Sequence, residues 1–195
     1  MILYNGPTSP FGRFARVVAL ELGIAHEEKT IDVYAAGFLD QFNPLRQIPT
    51  LILDDGRPIY DSRVIVAYFD SVSGRPTLFP ADEGWDLHVR LALAIGLMEA
   101  GLQRRMEVIR PVGERSAATI AKLEQRIGRA IDRMEALVSA IAATGLRGDQ
   151  IATAVALEYT EFRYGKHWHH AAPNLAVWLA DFARRPSMAA TRPRA

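Results

Sequence analysis

Three short stretches in the first third of the chain place hydroxyl, carboxylate and amide groups at the edges of strands and helices. The first, Thr8-Ser9-Pro10-Phe11-Gly12-Arg13, sets a Ser-Pro pair where a strand hands over to a helix. A hydroxyl there can cap the helix, or it can donate to a bound anion beside the helix's unpaired N–H groups. The second, Arg46-Gln47-Ile48-Pro49-Thr50, puts a proline just ahead of an apolar run. The third, Tyr60-Asp61-Ser62, opens another helix with a carboxylate and a hydroxyl side by side. Free N–H groups with Ser62 suit a carboxylate, and Asp61 can accept from an ammonium. The chain has no cysteine, which excludes structural disulfides, thiolate nucleophiles and Cys-ligated zinc.

The elements that position these groups follow from periodicity. Ile2–Tyr4 reads as a short buried strand. The next helix takes Ser9 as N-cap, Pro10 at its first position and Gly23 as left-handed C-cap, with Phe14, Val17, Val18 and Leu22 as its apolar face. Lys29–Val33 alternates and predicts a second strand, and a weak helical signal covers Gly37–Phe42. Thr50–Leu53 and Pro58–Tyr60 bracket Asp54-Asp55-Gly56, a tight turn between strands. A helix carrying Ile65, Val66, Tyr68 and Phe69 stops near Gly74, completing the order β-α-β-α-β-β-α. Beyond Pro80 the pattern is helical throughout: Trp85–Ile109, Ser116–Ala143, Asp149–Tyr164 and Asn174–Arg184. The boundaries expected are 1–77 for the α/β domain, 78–85 for a linker and 86–195 for an all-helical domain.

Bulk properties fit this plan. A chain of 195 residues with 49% hydrophobic and 23% charged residues can bury a sizeable core and is too apolar for disorder. Its net charge of +1 gives no field directing it to nucleic acid or an anionic membrane. The start lacks the basic and apolar regions of a signal peptide, and the most apolar run, Leu91 to Met98, is too short to span a bilayer. A cytoplasmic protein is expected.

Four stretches, "TSPFGRFARV", "FNPLRQIPTLIL", "YDSRVIVAYFD" and "RPSMAATRP", fall in order and at spacings that resemble the glutathione S-transferases, bacterial members with a Ser-Pro-Phe motif in particular. The resemblance covers nearly the whole chain. It implies a thioredoxin-like N-terminal domain followed by an all-helical C-terminal domain, the glutathione transferase fold, and a homodimer. Glutathione would be the co-substrate, with no metal, no nucleic acid and no membrane partner, and the family's role is detoxification of small hydrophobic electrophiles or peroxides.

Residue by residue, the resemblance implies Ser9 as the catalytic group and Phe11, Gln47, Ile48, Pro49, Asp61 and Ser62 as the glutathione-binding set. Where thioredoxin-like redox proteins carry Cys-x-x-Cys, this chain has Ser9-Pro10-Phe11-Gly12, so the thiol must come from the ligand. A hydroxyl donating to sulfur lowers the thiol's pKa. A fall of two units from ~8.5 needs about 2.7 kcal/mol, within reach of one charge-assisted hydrogen bond and a helix terminus. Capping and thiol contact could alternate, since one hydroxyl carries one proton, and Thr8 is the competing hydroxyl. Ile48 would exchange backbone hydrogen bonds with the cysteinyl unit beside a cis Pro49. Asp61 and Ser62 would take the ammonium and carboxylate of the γ-glutamyl unit. A non-catalytic glutathione-binding or partner-binding protein is the alternative reading.

Several positions depart from the family's pattern. Arg46-Gln47 stands where relatives often have Gly-Lys; Gln47 keeps hydrogen bonding, and Arg46 is the available charge. Arg147 and Gln150 occupy the usual Ser/Thr-x-x-Asp capping box, so the device is absent or shifted to Asp149. Ile95 replaces a common Asp. The acceptor pocket would be lined by Phe11, Met98, Leu102, Met106 and Trp168. His167-Trp168-His169-His170 reads as a polar surface loop without a carboxylate to complete a metal set, and Arg104 and Arg105 meet either solvent or an anionic ligand.

Overall fold

The computed structural model describes residues 1–143 and 145–193, which form two compact units. One is Met1–Leu78 together with the segment that begins at Pro186; the other is Phe79–Arg185.

In the first unit, β1 (Ile2–Asn5) is paired in parallel with β2 (Glu27–Thr30) and antiparallel with β3 (Thr50–Ile52), which pairs antiparallel with β4 (Pro58–Ile59). The sheet order is β2-β1-β3-β4. Strand β2 begins two residues before the alternating stretch and is exposed along its length. Pairing with β1, not burial of alternate side chains, defines this edge strand, so periodicity misplaced it. Helices α1 (Pro10–Leu22) and α2 (Ser62–Val72) pack on each other, and Phe14, Val18, Ile65 and Phe69 join Leu3 and Leu51 in the core. Gly12 is required where α1 meets β1: a Cβ there would lie 1.5 Å from Asn5 Oδ1.

In the second unit, α3 (Gly84–Val108) packs against α4 (Ala117–Ala136) and α6 (Gly148–Tyr164). Every residue of α6 from Gly148 to Thr160 is buried, which makes it the core helix. The helix expected to run to Ala143 breaks at Leu137 and resumes as α5 (Val138–Ile141). The carbonyls at and just past the end of α5 are taken by side chains from the start of α6. The Gln150 amide donates to Ile141 O (2.8 Å) and Ala143 O (3.0 Å), and the Arg147 guanidinium donates to Ala140 O (2.8 Å). Gln150 Oε1 also accepts from the Arg147 N–H at 3.0 Å, so the cap is neither missing nor moved to Asp149. Asp149 is instead wholly buried in a charge cluster: Arg90 Nε lies 2.5 Å from Asp149 Oδ2 and Arg147 Nε 3.4 Å from Asp149 Oδ1. Both cations also reach Glu83, at 2.9 Å and 3.3 Å. Burial opposes the Arg90 charge, but its bonds to Asp149 and Glu83 prevail and raise its pKa.

A short α7 (Pro173–Phe182) follows, its first N–H groups capped by Glu135. Sequence reading set 86–195 apart as one helical domain. The closing stretch instead forms α8 (Pro186–Ala190) and packs with the first unit. Buried Arg13 of α1 explains this: it donates to Met188 O (3.2 Å) and Thr191 Oγ1 (3.2 Å), while Ser187 donates to Glu21 at 2.5 Å.

Candidate functional site

Strand β1 delivers the chain to the mouth of α1, where Ser9 sits in extended conformation as N-cap. Its Oγ accepts the Gly12 N–H at 3.1 Å. Capping and thiol contact therefore need not alternate: capping uses a lone pair, and the hydroxyl proton stays available. Pro10 has no N–H, and Arg13 N–H is taken by Ser9 O at 3.0 Å. Among the described residues, the Phe11 N–H has no acceptor. The helix mouth therefore presents two adjacent donors, the Ser9 hydroxyl and the Phe11 N–H, within the positive end of the helix dipole. Thr8 is half-buried one residue earlier.

The Ile48–Pro49 bond is cis. Asn43, buried, fixes this turn by donating to Gln47 O (3.1 Å) and Thr50 Oγ1 (2.9 Å), and Thr50 donates to Gln47 O (2.8 Å). Among the described residues, the Ile48 N–H and C=O make no hydrogen bond, although the residue adjoins β3. They form an unpaired extended edge suited to a peptide-like ligand. Arg46 adopts φ 45°, the left-handed region that favours glycine. Its Nε donates to Asp40 at 2.6 Å. That bond holds the Asp40 carboxyl below its ordinary range and raises the guanidinium's pKa. The charge that could replace the missing lysine is therefore already shared. The Gln47 side chain is exposed.

At the start of α2, Asp61 is the N-cap and accepts the Arg63 N–H at 3.0 Å. Its other oxygen pairs with the Arg63 guanidinium at 3.1 Å. The Tyr60–Asp61 peptide is also cis, a feature with no signal in residue type. Ser62 is buried, and among the described residues the N–H groups of Ser62 and Val64 have no acceptor. The arrangement offers two backbone donors to a carboxylate beside a carboxylate of its own.

The helical-unit residues expected to line the acceptor pocket differ in burial. Met98 is fully buried and Trp168 nearly so, as core residues of the helical unit, whereas Leu102 and Met106 are exposed. Ile95 is core as well. The His167–His170 stretch is a 3-10 turn, and a carboxylate does reach it: Glu161 Oε1 lies 2.6 Å from His169 Nε2. Among the described residues no three His, Cys, Asp or Glu side chains could hold a metal ion. Nor is any described helix long and apolar enough to cross a membrane.

A thioredoxin-like unit with a hydroxyl-capped helix and a cis-proline turn, joined to a helical unit, defines the glutathione transferase fold. A family model described as "Glutathione S-transferase, N-terminal domain" matches residues 8–72. Along 99% of its length the chain is 33% identical to the uncharacterized GST-like protein YibF of Escherichia coli, covering 98% of that protein. The chain belongs to the glutathione S-transferase family. It is similar to a glutathione transferase family member from Pseudomonas fluorescens Pf-5 solved with bound glutathione (34% identity, 100% and 99% coverage, TM-score 0.92). A second structure of a Pf-5 family member contains S-(propanoic acid)-glutathione (32% identity, TM-score 0.88, full coverage of both chains). A Methylobacillus flagellatus glutathione S-transferase with glutathione bound matches at 33% identity and TM-score 0.93, with 99% coverage each way.

Proposed function

We propose that this chain is a cytoplasmic glutathione transferase that ionises the glutathione thiol and directs it at a small electrophile or a peroxide. The observation that carries the reading is the state of Ser9: its lone pair caps α1, and among the described residues neither its proton nor the Phe11 N–H beside it has an acceptor. Both donors favour a thiolate over a thiol. The cysteinyl backbone pairs with Ile48 beside cis Pro49, the γ-glutamyl carboxylate takes the N–H groups of Ser62 and Val64, and its ammonium takes Asp61. Gln47 hydrogen-bonds the glycyl end. Relatives at 32–34% identity bind glutathione or a glutathione carrying a propanoic acid on sulfur, which supports both the ligand and substitution at sulfur. No metal is needed for this chemistry.

A homodimer is part of the same reading. Trp85, His88, Val89 and Ala92 leave an exposed, largely apolar stripe at helical spacing on α3, and Trp85 is 83% exposed. Such a stripe suits a second copy of the chain.

Calorimetric titration with glutathione, paired with conjugation rates, tests the proposal. Wild type is expected to bind, Asp61→Asn to bind at least tenfold more weakly, and turnover to accompany binding. Binding without turnover on a panel of aryl halides and hydroperoxides would favour a glutathione-holding protein, a reading that the engaged Arg46 and Asp61 side chains also suit. Absence of binding would overturn the site.

A further inference from the structure

The turn that presents the Ser9 hydroxyl and the Phe11 N–H is weakly built from its own sequence. Pro10 has no N–H, the Gly12 N–H goes to the Ser9 side chain, and Arg13 N–H to Ser9 O is the first backbone bond of α1. Close approach to Asn5 demands Gly12, yet glycine is among the residues least inclined to hold helical backbone angles. No acidic side chain in this turn complements the helix dipole. On local terms alone the first turn would fray.

The residue after Gly12 is anchored from far along the chain, within the first unit. Arg13 is 4% exposed; its Nε donates to Thr191 Oγ1 and its Nη2 to Met188 O, both at 3.2 Å. Helix α8 is fastened in turn. Thr191 Oγ1 donates to Ser187 O at 2.8 Å, Met188 is fully buried, and Ser187 Oγ donates to Glu21 Oε1 at 2.5 Å. Arg13 and Glu21 stand in the first and last turns of α1, so α8 splints that helix from one end to the other. Burying a guanidinium costs hydration, and an apolar side chain would fill the same space without that loss. What the guanidinium adds is direction, because its planar fork meets two acceptors in one fixed geometry.

We propose that Arg13 is a positioning residue for thiol activation: clamped to Thr191 and Met188 of α8, it holds the first turn of α1 so that the Ser9 hydroxyl and the Phe11 N–H meet one bound sulfur. That sulfur is the glutathione thiol of the transferase reading above, on which this role rests. Arg13 acts through its backbone, whose N–H fixes Ser9 O at 3.0 Å. A hydrogen bond weakens steeply as its donor leaves alignment, so a first turn that opens loses hold of the thiolate before α1 itself is lost.

Amide hydrogen exchange of the full chain, read residue by residue by NMR, tests the clamp. Arg13→Met fills the buried site and removes the donors. The amides of Gly12 and of residue 13, corrected for intrinsic rates, should exchange roughly tenfold faster, the scale of one hydrogen bond. Those of Val17 and Val18, deeper in α1, should stay within about twofold. Arg13→Lys keeps a donor and should fall between wild type and Arg13→Met. Thr191→Val breaks the clamp from α8 with α1 unaltered, and reads the role if Arg13→Met fails to fold; about threefold faster exchange at Gly12 is expected. In both Arg13→Met and Thr191→Val the thiol pKa of bound glutathione should rise by about half a unit or more above its wild-type value. Unchanged exchange at residues 12 and 13, or an equal rise along all of α1, would mean that Arg13 serves stability alone and overturns the role. So would a thiol pKa that stays at its wild-type value in Arg13→Met although the first turn has opened. Wild type that binds glutathione without lowering its thiol pKa, with the local exchange pattern still present, would defeat the transferase reading and leave the clamp on the Ser9 turn standing.

Discussion

Asp149→Asn is the sharpest test of how the helical unit is held. The carboxylate is fully buried at the start of the core helix α6, 2.5 Å from Arg90 and 3.4 Å from Arg147. Two cations then share two carboxylates, Asp149 and Glu83. Asparagine keeps the volume and one acceptor but leaves two buried guanidiniums with Glu83 alone. Two charges 4 Å apart interact by about 4 kcal/mol at an effective dielectric of ~20, and removing one partner of a buried pair costs roughly 3–5 kcal/mol. Because asparagine retains a hydrogen bond, about 3 kcal/mol is expected. All three tryptophans, Trp85, Trp168 and Trp178, lie in this unit, so urea unfolding followed by tryptophan fluorescence reports on it. Arg90→Met in the Asp149→Asn background removes the guanidinium that has lost its Asp149 partner. The double variant should recover about 2 kcal/mol relative to the sum of the single losses. A loss below about 1 kcal/mol for Asp149→Asn, or strict additivity in the double variant, would mean that the buried charge cluster does not hold α6.

Three further outcomes are expected. Gly12→Ala drives a methyl into Asn5 and should cost ~2–3 kcal/mol in denaturant unfolding, most of it returned by adding Asn5→Ala. Ser9→Asp still offers Gly12 N–H an acceptor but has no proton to donate. Thermal stability should stay within about 0.5 kcal/mol of wild type while thiolate formation is lost. Burial raises the Glu135 carboxyl's pKa, but bonds from Leu175 N–H and from Asn174 outweigh it and lower it overall. A lowered carboxyl contributes stability in full above its ordinary range, and the contribution disappears as pH falls through the lowered value. Glu135→Gln should thus be less stable than wild type at pH 7, with the two converging in acid-unfolding curves as pH falls through that lowered value.

Local chemistry was the legible part of this molecule. Ser-Pro marks the start of α1 and Gly23 its end because capping depends on neighbours in sequence, and the structure has both. Pro49 is cis as the resemblance implied. What escaped depended on partners distant along the chain. Strand β2 is located by pairing with Ile2–Asn5, not by its own alternation. Arg90 and Asp149, 59 residues apart, give no sign in sequence that they meet. Arg13 lies inside the best-marked motif, yet its task, holding α8 against α1, appears only with Met188 and Thr191 in place. At Ser9 residue type named the hydroxyl, but only geometry shows that the cap uses a lone pair and spares the proton. Arg104 and Arg105, adjacent in sequence, part company because Glu124 reaches only the first.

The role of Ser9 turns on one proton, and ultraviolet difference absorbance of enzyme-bound glutathione against pH measures it. Wild type should show thiolate forming one to two units below the ~8.5 of a free thiol, Thr8→Ala should match it, and Ser9→Ala should return most of the shift. A bound thiol that ionises at its ordinary pKa in wild type, or a depressed value that survives in Ser9→Ala, would contradict the role of Ser9.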